Sequence, residues 1–333
     1  MTRIVSVILC TYNRCQSLAK VLESIAASKL PDSTEWEVLV IDNNSTDQTR
    51  DVAEGFCRRY PNHFRYLFEA QQGKSHALNT GIRESHGEVL AFTDDDVTVE
   101  PTWLENLTAN LFGNEWVGAG GRVFPEKGVV FPPWLALKGP YTMAGLLVIL
   151  DRGSEACELV EAPFGANMAF RKSMFGKHGG FRTDLGPPPK LRGEDTEFCL
   201  RLMKARERLR YEPSAIVYHE VPANRLKKRY FLSWWFGHGR VMMRLREKRP
   251  PKWHMPYEFF SIGKRIVGLM PYGVRKWMRA PNPQGKFFWK CWLWMTVGEI
   301  YESSRLAFEG KRNVVGPLAS KQPAEAETGQ GSR

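Results

Sequence analysis

Glu88-Val89-Leu90-Ala91-Phe92-Thr93-Asp94-Asp95-Asp96 is the stretch on which the fold of this 333-residue chain turns. Val89 to Phe92 form a short apolar run, the mark of a buried strand. Three carboxylates follow at once. Adjacent carboxylates repel, so a fold gains nothing by grouping them unless a cation neutralises them. Hard cations such as Mg²⁺ and Mn²⁺ take oxygen ligands, usually one or two carboxylates plus substrate phosphates. Open α/β sheets bind ligands just beyond the carboxyl ends of their strands. A strand ending in this triplet therefore points to a site for a metal and a diphosphate. A solvated acidic turn is the plainer alternative, and the neighbouring segments weigh against it.

Upstream, strand and helix signals alternate. Apolar runs at 4–9, 37–41 and 64–68 predict strands. Helical spacing predicts helices over 17–27, 46–60 and 75–84. This βαβα rhythm implies a mostly parallel, doubly wound α/β sheet, Rossmann-like, with helices on both faces. Downstream, 116–124 and 158–170 have sheet character, 196–205 reads as a helix, and 215–218 as a last strand ending at His219. Gly186-Pro187-Pro188-Pro189 can be neither helix nor central strand.

Several residues at the strand ends suit a nucleotide. Asp42 directly follows a buried run, where an acidic side chain can accept hydrogen bonds from a ribose or base edge. Turn chemistry and helix capping explain Asn44 to Asp47 as well. Thr11-Tyr12-Asn13-Arg14 closes the first strand without a GxGxxG, which argues against a dinucleotide-binding oxidoreductase. Lys74 opens a helix after Gln72-Gly73, where backbone N–H groups suit an anion. Glu194-Asp195 begins a helix after the proline-rich loop. A carboxylate there is stabilised in its charged form by the helix dipole, as a general base requires. His219 is either structural or a nitrogen ligand that completes an Mn²⁺ or Mg²⁺ site.

The net charge of +11 is uneven: residues 221–290 hold 17 Lys/Arg against 2 Asp/Glu. The remainder is slightly acidic. Seven of the eleven tryptophans lie at or beyond Trp234. A basic, Trp-rich helical appendage over 221–315 is expected, facing an anionic membrane surface or an acceptor, with a helical cap packed on the preceding domain as the plainer alternative, and a disordered tail over 316–333. No run is long and apolar enough to span a bilayer. Six cysteines without a CxxC pair fit a reduced, cytoplasmic setting, peripheral on the inner face of the cell membrane.

Five segments, in order and at familiar spacing over about residues 4–220, resemble a family 2 glycosyltransferase of the GT-A fold. They are Val5 to Arg14, Val38 to Asp47, Gly73-Lys74-Ser75-His76-Ala77-Leu78-Asn79, Phe92 to Asp96 and Gly193-Glu194-Asp195. The resemblance implies an inverting, metal-dependent transfer from a nucleotide-diphosphate-sugar to an acceptor hydroxyl. Thr11 and Asp42 would hold the base and ribose, with Tyr12, Asn13, Arg14 and Asn44 around them. Asp94, Asp95, Lys74 and Glu194 would face the sugar diphosphate. Asp96 and His219 would bind Mn²⁺ or Mg²⁺, and Asp195 would deprotonate the acceptor. A UDP-sugar donor is favoured. A carbohydrate or polyprenyl-diphosphate-linked acceptor is expected, and nucleic acid is not.

Two rivals remain at this stage. Asp94 and Asp96 also fit the DxDxT pattern of haloacid-dehalogenase-like phosphatases, which places that motif on the first strand. A non-enzymatic membrane or nucleic-acid adaptor would account for the basic segment alone.

Overall fold

A computed structural model describes residues 3–31, 33–185, 193–245 and 251–308, with side chains left aside at 251–255 and 308. The proline-rich loop at 186–189 and the tail expected over 316–333 lie outside the described residues.

The first third folds as its apolar pattern dictates. The order is β1 (Arg3–Thr11), α1 (Cys15–Ala26), β2 (Thr34–Asp42), α2 (Thr49–Arg59), β3 (Phe64–Phe68), α3 (Lys74–Glu84) and β4 (Val89–Asp94). The second helix starts at Thr49, not Thr46, because Asn44 and the residues after it form a turn. These four strands run parallel in the spatial order β3-β2-β1-β4.

The sheet continues with β5 (Val97–Val99), helix α4 (Trp103–Thr108), β6 (Gly118–Pro125), β7 (Cys157–Glu158), β8 (Met168–Arg171), α5 (Lys172–His178), α6 (Glu194–Lys204) and β9 (Leu209–His219). Beyond β4 the order is β8-β6-β9-β5, with β7 also on β9. Here the sheet is mixed: β8 is antiparallel to both neighbours, while β6 and β9 are parallel. The sheet character expected over 158–170 shrinks to β7 and β8, because Pro163 and Gly165 turn the chain between them.

Both faces are covered, as a parallel sheet requires. Period-two alternation sends Val5, Val7, Leu9, Val38 and Val40 to one face, under α1, α2 and α4. Ile8, Leu39, Ile41 and Phe92 point to the other, under α3, α5 and α6. On that second face Phe92, Phe170, Phe175, Phe181 and Phe198 pack ring against ring, with Phe175 and Phe198 stacked at 4.6 Å.

After β9 the chain becomes helical: α7 (Lys228–Leu245), α8 (Pro251–Lys264), a π-helical turn (Arg265–Leu269), α9 (Met270–Met278) and α10 (Pro283–Phe308). Helices α7 and α10 touch backbone to backbone at two glycines. A Cβ on Gly239 would stand 2.1 Å from the Met295 carbonyl oxygen, and one on Gly298 2.1 Å from that of Phe236. Buried Glu302 locks the pair by accepting from Arg240 Nε at 2.8 Å and Arg244 Nε at 2.6 Å. Among the described residues no helix is long and apolar enough to cross a membrane.

Candidate active site

Strand register gathers the carboxylates. Thr11 pairs with Asp42 across β1 and β2, and Cys10 pairs with Asp94 across β1 and β4. All lie at the carboxyl ends of adjacent parallel strands, where the sheet opens. Three-residue β5 then folds Val97 against His219 on β9. That register sets His219 beside Asp96, with Nε2 3.4 Å from Oδ1.

Two chains of ion pairs cross this end of the sheet. In one, Arg14 Nη1 donates to Asp96 Oδ2 at 2.9 Å and lies 3.7 Å from Asp95, while Arg225 Nη2 reaches the same Asp96 oxygen at 3.4 Å. In the other, Lys74 Nζ sits 2.5 Å from Asp94 Oδ1 and 3.9 Å from Glu194 Oε1. Lys74 thus joins the acidic triplet on β4 to the start of α6. Both helix starts need glycine: Gly73 has φ +141° and Gly193 φ +122°, outside the range that side chains favour.

The environments differ within the triplet. Burial opposes ionisation of Asp94, but the Lys74 ammonium outweighs it and holds the carboxyl below its usual range. Burial pushes the Asp95 carboxyl up to about 6, with Arg14 pulling it down and Asp96 adding to the rise. Burial, then the neighbouring Asp195, raises Glu194. Burial also lowers the His219 imidazole, against the pull of Asp96 and Asp94, so the ring is neutral near pH 7. Its Nδ1 is buried and makes no hydrogen bond.

Asp195 is fixed on the first turn of α6. Its Oδ2 accepts from the Gly165 N–H at 3.0 Å and its Oδ1 from the Thr196 N–H at 2.6 Å. Asp42 is buried with both oxygens engaged, by the Ser45 N–H at 2.9 Å and the Tyr66 hydroxyl at 3.0 Å. Asn13 and Asn44 both take positive φ, 52° and 66°. The Asn13 side chain accepts from the Thr46 N–H at 2.7 Å, stitching the loops after β1 and β2 together. Tyr12 stands about half exposed beside them.

Two residues escaped the sequence reading. Asn43 accepts from the Gly73 N–H at 2.7 Å and donates to the Glu69 and Gln71 carbonyls, and so pins the loop that presents Lys74. Arg225 lies in a segment so rich in cations that nothing in the sequence singles it out.

The fit of a divalent cation rests on Asp96 and His219. Among the described residues no cluster of three or more acidic, His or Cys side chains could hold a metal alone. Two protein donors still suit Mg²⁺ or Mn²⁺ where substrate phosphates complete the shell. The 3.4 Å between a buried carboxylate and a neutral imidazole is within reach of one cation at about 2.1 Å from each. The donors fit, provided Arg14 and Arg225 yield part of Asp96.

The phosphatase alternative fails on topology. The first strand ends at Thr11, and Asp94 ends the fourth strand in sequence, paired with Lys74.

Comparison with known proteins bears on the family and the fold. Residues 6–179 match the family model of glycosyl transferase family 2. A 127-residue stretch is 38% identical to glycosyltransferase AglE of Haloferax volcanii, covering 37% of this chain and 41% of that protein. The succinoglycan biosynthesis protein ExoM of Rhizobium meliloti is 30% identical over 70% of this chain and 74% of its own length. A glucosyl-dolichyl phosphate glucuronosyltransferase of Haloferax volcanii is 29% identical over 72% and 77%. Among solved structures, the mannosyltransferase PcManGT of Pyrobaculum calidifontis, held with GDP-Man and Mn²⁺, superposes with a TM-score of 0.57 at 19% identity, covering 93% of this chain and 88% of that one. At that identity the likeness carries the fold alone.

Proposed function

Because the chain belongs to glycosyl transferase family 2 and has the GT-A fold, we propose that it moves a sugar from a nucleotide-diphosphate donor to an acceptor hydroxyl with inversion. The observation that carries this reading is the bridge Asp94–Lys74–Glu194, which links the acidic strand end to the helix turn bearing Asp195.

The donor lies across the ends of β2, β1 and β4. Thr11, Asp42 and the Asn13–Asn44 loops form the nucleoside side. Arg14, Arg225 and Lys74 meet the diphosphate, exchanging part of their carboxylate contacts for phosphate oxygens. Asp96 and His219 hold Mn²⁺ or Mg²⁺. When bound, the cation supplies Lewis-acid neutralisation of the charge that develops on the departing diphosphate. Asp195, oriented by two backbone N–H groups, takes the proton of the attacking hydroxyl from the opposite face of the sugar.

The catalytic unit is residues 1–220 together with Arg225, which the segment after β9 returns to Asp96, and the rest of 221–315 serves acceptor or membrane contact. UDP is the favoured nucleotide, with GDP its rival because the mannosyltransferase neighbour holds GDP-Man. A carbohydrate or polyprenyl-diphosphate-linked acceptor, reached at the inner face of the cell membrane, is favoured by a relative named for a glucosyl-dolichyl phosphate and by the basic segment.

A thermal-shift screen of UDP-, GDP- and dTDP-sugars, each with and without Mn²⁺ or Mg²⁺, tests the reading. One donor class should raise the melting temperature, more so with the cation. Indifference to every donor would refute it.

A further inference from the structure

The segment from α8 through α9 carries two features that sugar transfer does not use. It packs on α10 through Gly273, where a Cβ would stand 2.6 Å from the Trp292 ring and 2.7 Å from Leu293. Most of the remaining circumference of α9 is turned outward. Phe260 is 71% exposed, Val267 79% and Met278 63%, with Ile266 and Trp277 also exposed. Ile266 and Val267 stand on the π-helical turn, which buries no residue.

The same segment lines a cavity of about 420 Å³. Arg275, Lys276 and Arg279 line it with Tyr141, Tyr272 and Trp289. Lys276 Nζ stands over the Tyr272 ring at 5.6 Å and the Trp289 ring at 5.8 Å. Nearby arginines that hold the helices together are paired: Arg240 and Arg244 with Glu302, and Arg265 with Glu299 at 2.7 Å. Arg275, Lys276 and Arg279 have no carboxylate partner among the described residues. Three uncompensated cations around a cavity with aromatic walls attract an anion. Exposed bulky apolar side chains on the same segment favour a phase without water. A helix with both properties lies in a membrane interface.

We propose that the α8–α9 segment docks on an anionic lipid bilayer. Ile266, Val267, Trp277 and Met278 enter the acyl boundary, and a lipid phosphate sits in the cavity among Arg275, Lys276 and Arg279. This sharpens the membrane contact of the proposed function into one surface. It does not depend on which sugar is moved.

Sedimentation of the full chain with vesicles tests it. Wild type should bind vesicles containing phosphatidylglycerol, ignore pure phosphatidylcholine, and release as salt rises. The triple variant Arg275→Glu/Lys276→Glu/Arg279→Glu should partition at least roughly hundredfold more weakly, at about fivefold for each of the three cations removed. Ile266→Ser/Val267→Ser should weaken binding while keeping its salt dependence. Both variants should retain the donor-induced thermal shift, which separates this surface from the transfer site. If the triple variant loses its fold, the serine variant decides the matter. Equal binding to both vesicle types, wild-type binding by the folded variants, or binding of single-stranded DNA in place of vesicles would overturn the proposal.

Discussion

Lys74, the first residue of α3, holds Asp94 at the end of β4 with Nζ 2.5 Å from Oδ1. Both are only about a quarter exposed, so the pair is weakly screened. Lys74→Met leaves Asp94 without its counter-ion and removes a cation from the diphosphate side. A hydrogen bond to a charged group contributes about 1.5–3 kcal/mol, so the donor Kd should rise roughly tenfold to hundredfold. Calorimetry with the donor that the screen selects measures this; an unchanged Kd would show that Lys74 serves the fold only.

Asp195→Asn keeps the shape of the side chain and removes its basicity. The turnover number should fall about 10²–10⁴-fold, the range of a lost general base. Donor binding should stay within a factor of a few, because the hydrogen bonds of Asp195 go to the Gly165 and Thr196 N–H groups and not to Lys74 or Asp94. A rate near wild type would assign the base elsewhere.

The parallel half of the sheet was legible because its strands are buried on both faces. They read as unbroken apolar runs, and Thr11, Asp42 and Asp94 stand at their ends. The meeting of Asp96 and His219, the proposed metal donors, was legible only in part. His219 meets Asp96 through β5, a three-residue strand too short to show a period. Asn43 carries no signal of its own beside the capping run Asn44 to Asp47, yet it shapes the loop that carries Lys74. Arg225 was hidden for a different reason: charge counts describe a segment, while an ion pair with Asp96 depends on where a turn after β9 points one guanidinium.

Arg225 should matter for the diphosphate and not for the base. Its guanidinium lies 3.4 Å from both Asp96 Oδ2 and His219 Nε2, and its side chain is 19% exposed. Arg225→Ala should weaken nucleoside-diphosphate binding about tenfold, the lower end for a charge-assisted contact. Binding of the bare nucleoside should not change. Arg225→Lys should recover only part of the loss, since the ammonium lacks the planar fork. Equal weakening for nucleoside and diphosphate would mean that Arg225 acts by holding the loop.

Glu37 offers a stability test remote from the chemistry. It sits on β2 and accepts from the Ser6 hydroxyl at 2.7 Å, Arg65 Nη1 at 2.7 Å and the His86 N–H at 2.6 Å. Burial alone would raise its pKa; the Ser6, His86 and Arg65 hydrogen bonds overcome that and hold the carboxyl below its ordinary value of about 4.5. A depressed native pKa means that the unfolded chain binds the proton more readily. The stabilisation is therefore present above about pH 4.5 and is lost as the pH falls through the native value. Glu37→Gln should cost about 1–3 kcal/mol at pH 7, because a buried charged acceptor is exchanged for a neutral amide. That gap should narrow steadily in acid, where wild type itself carries a neutral carboxyl. Urea melts of both proteins from pH 7 down to pH 3 measure the difference; a gap that widens in acid would reverse the assigned sign and place the stabilisation in the neutral form.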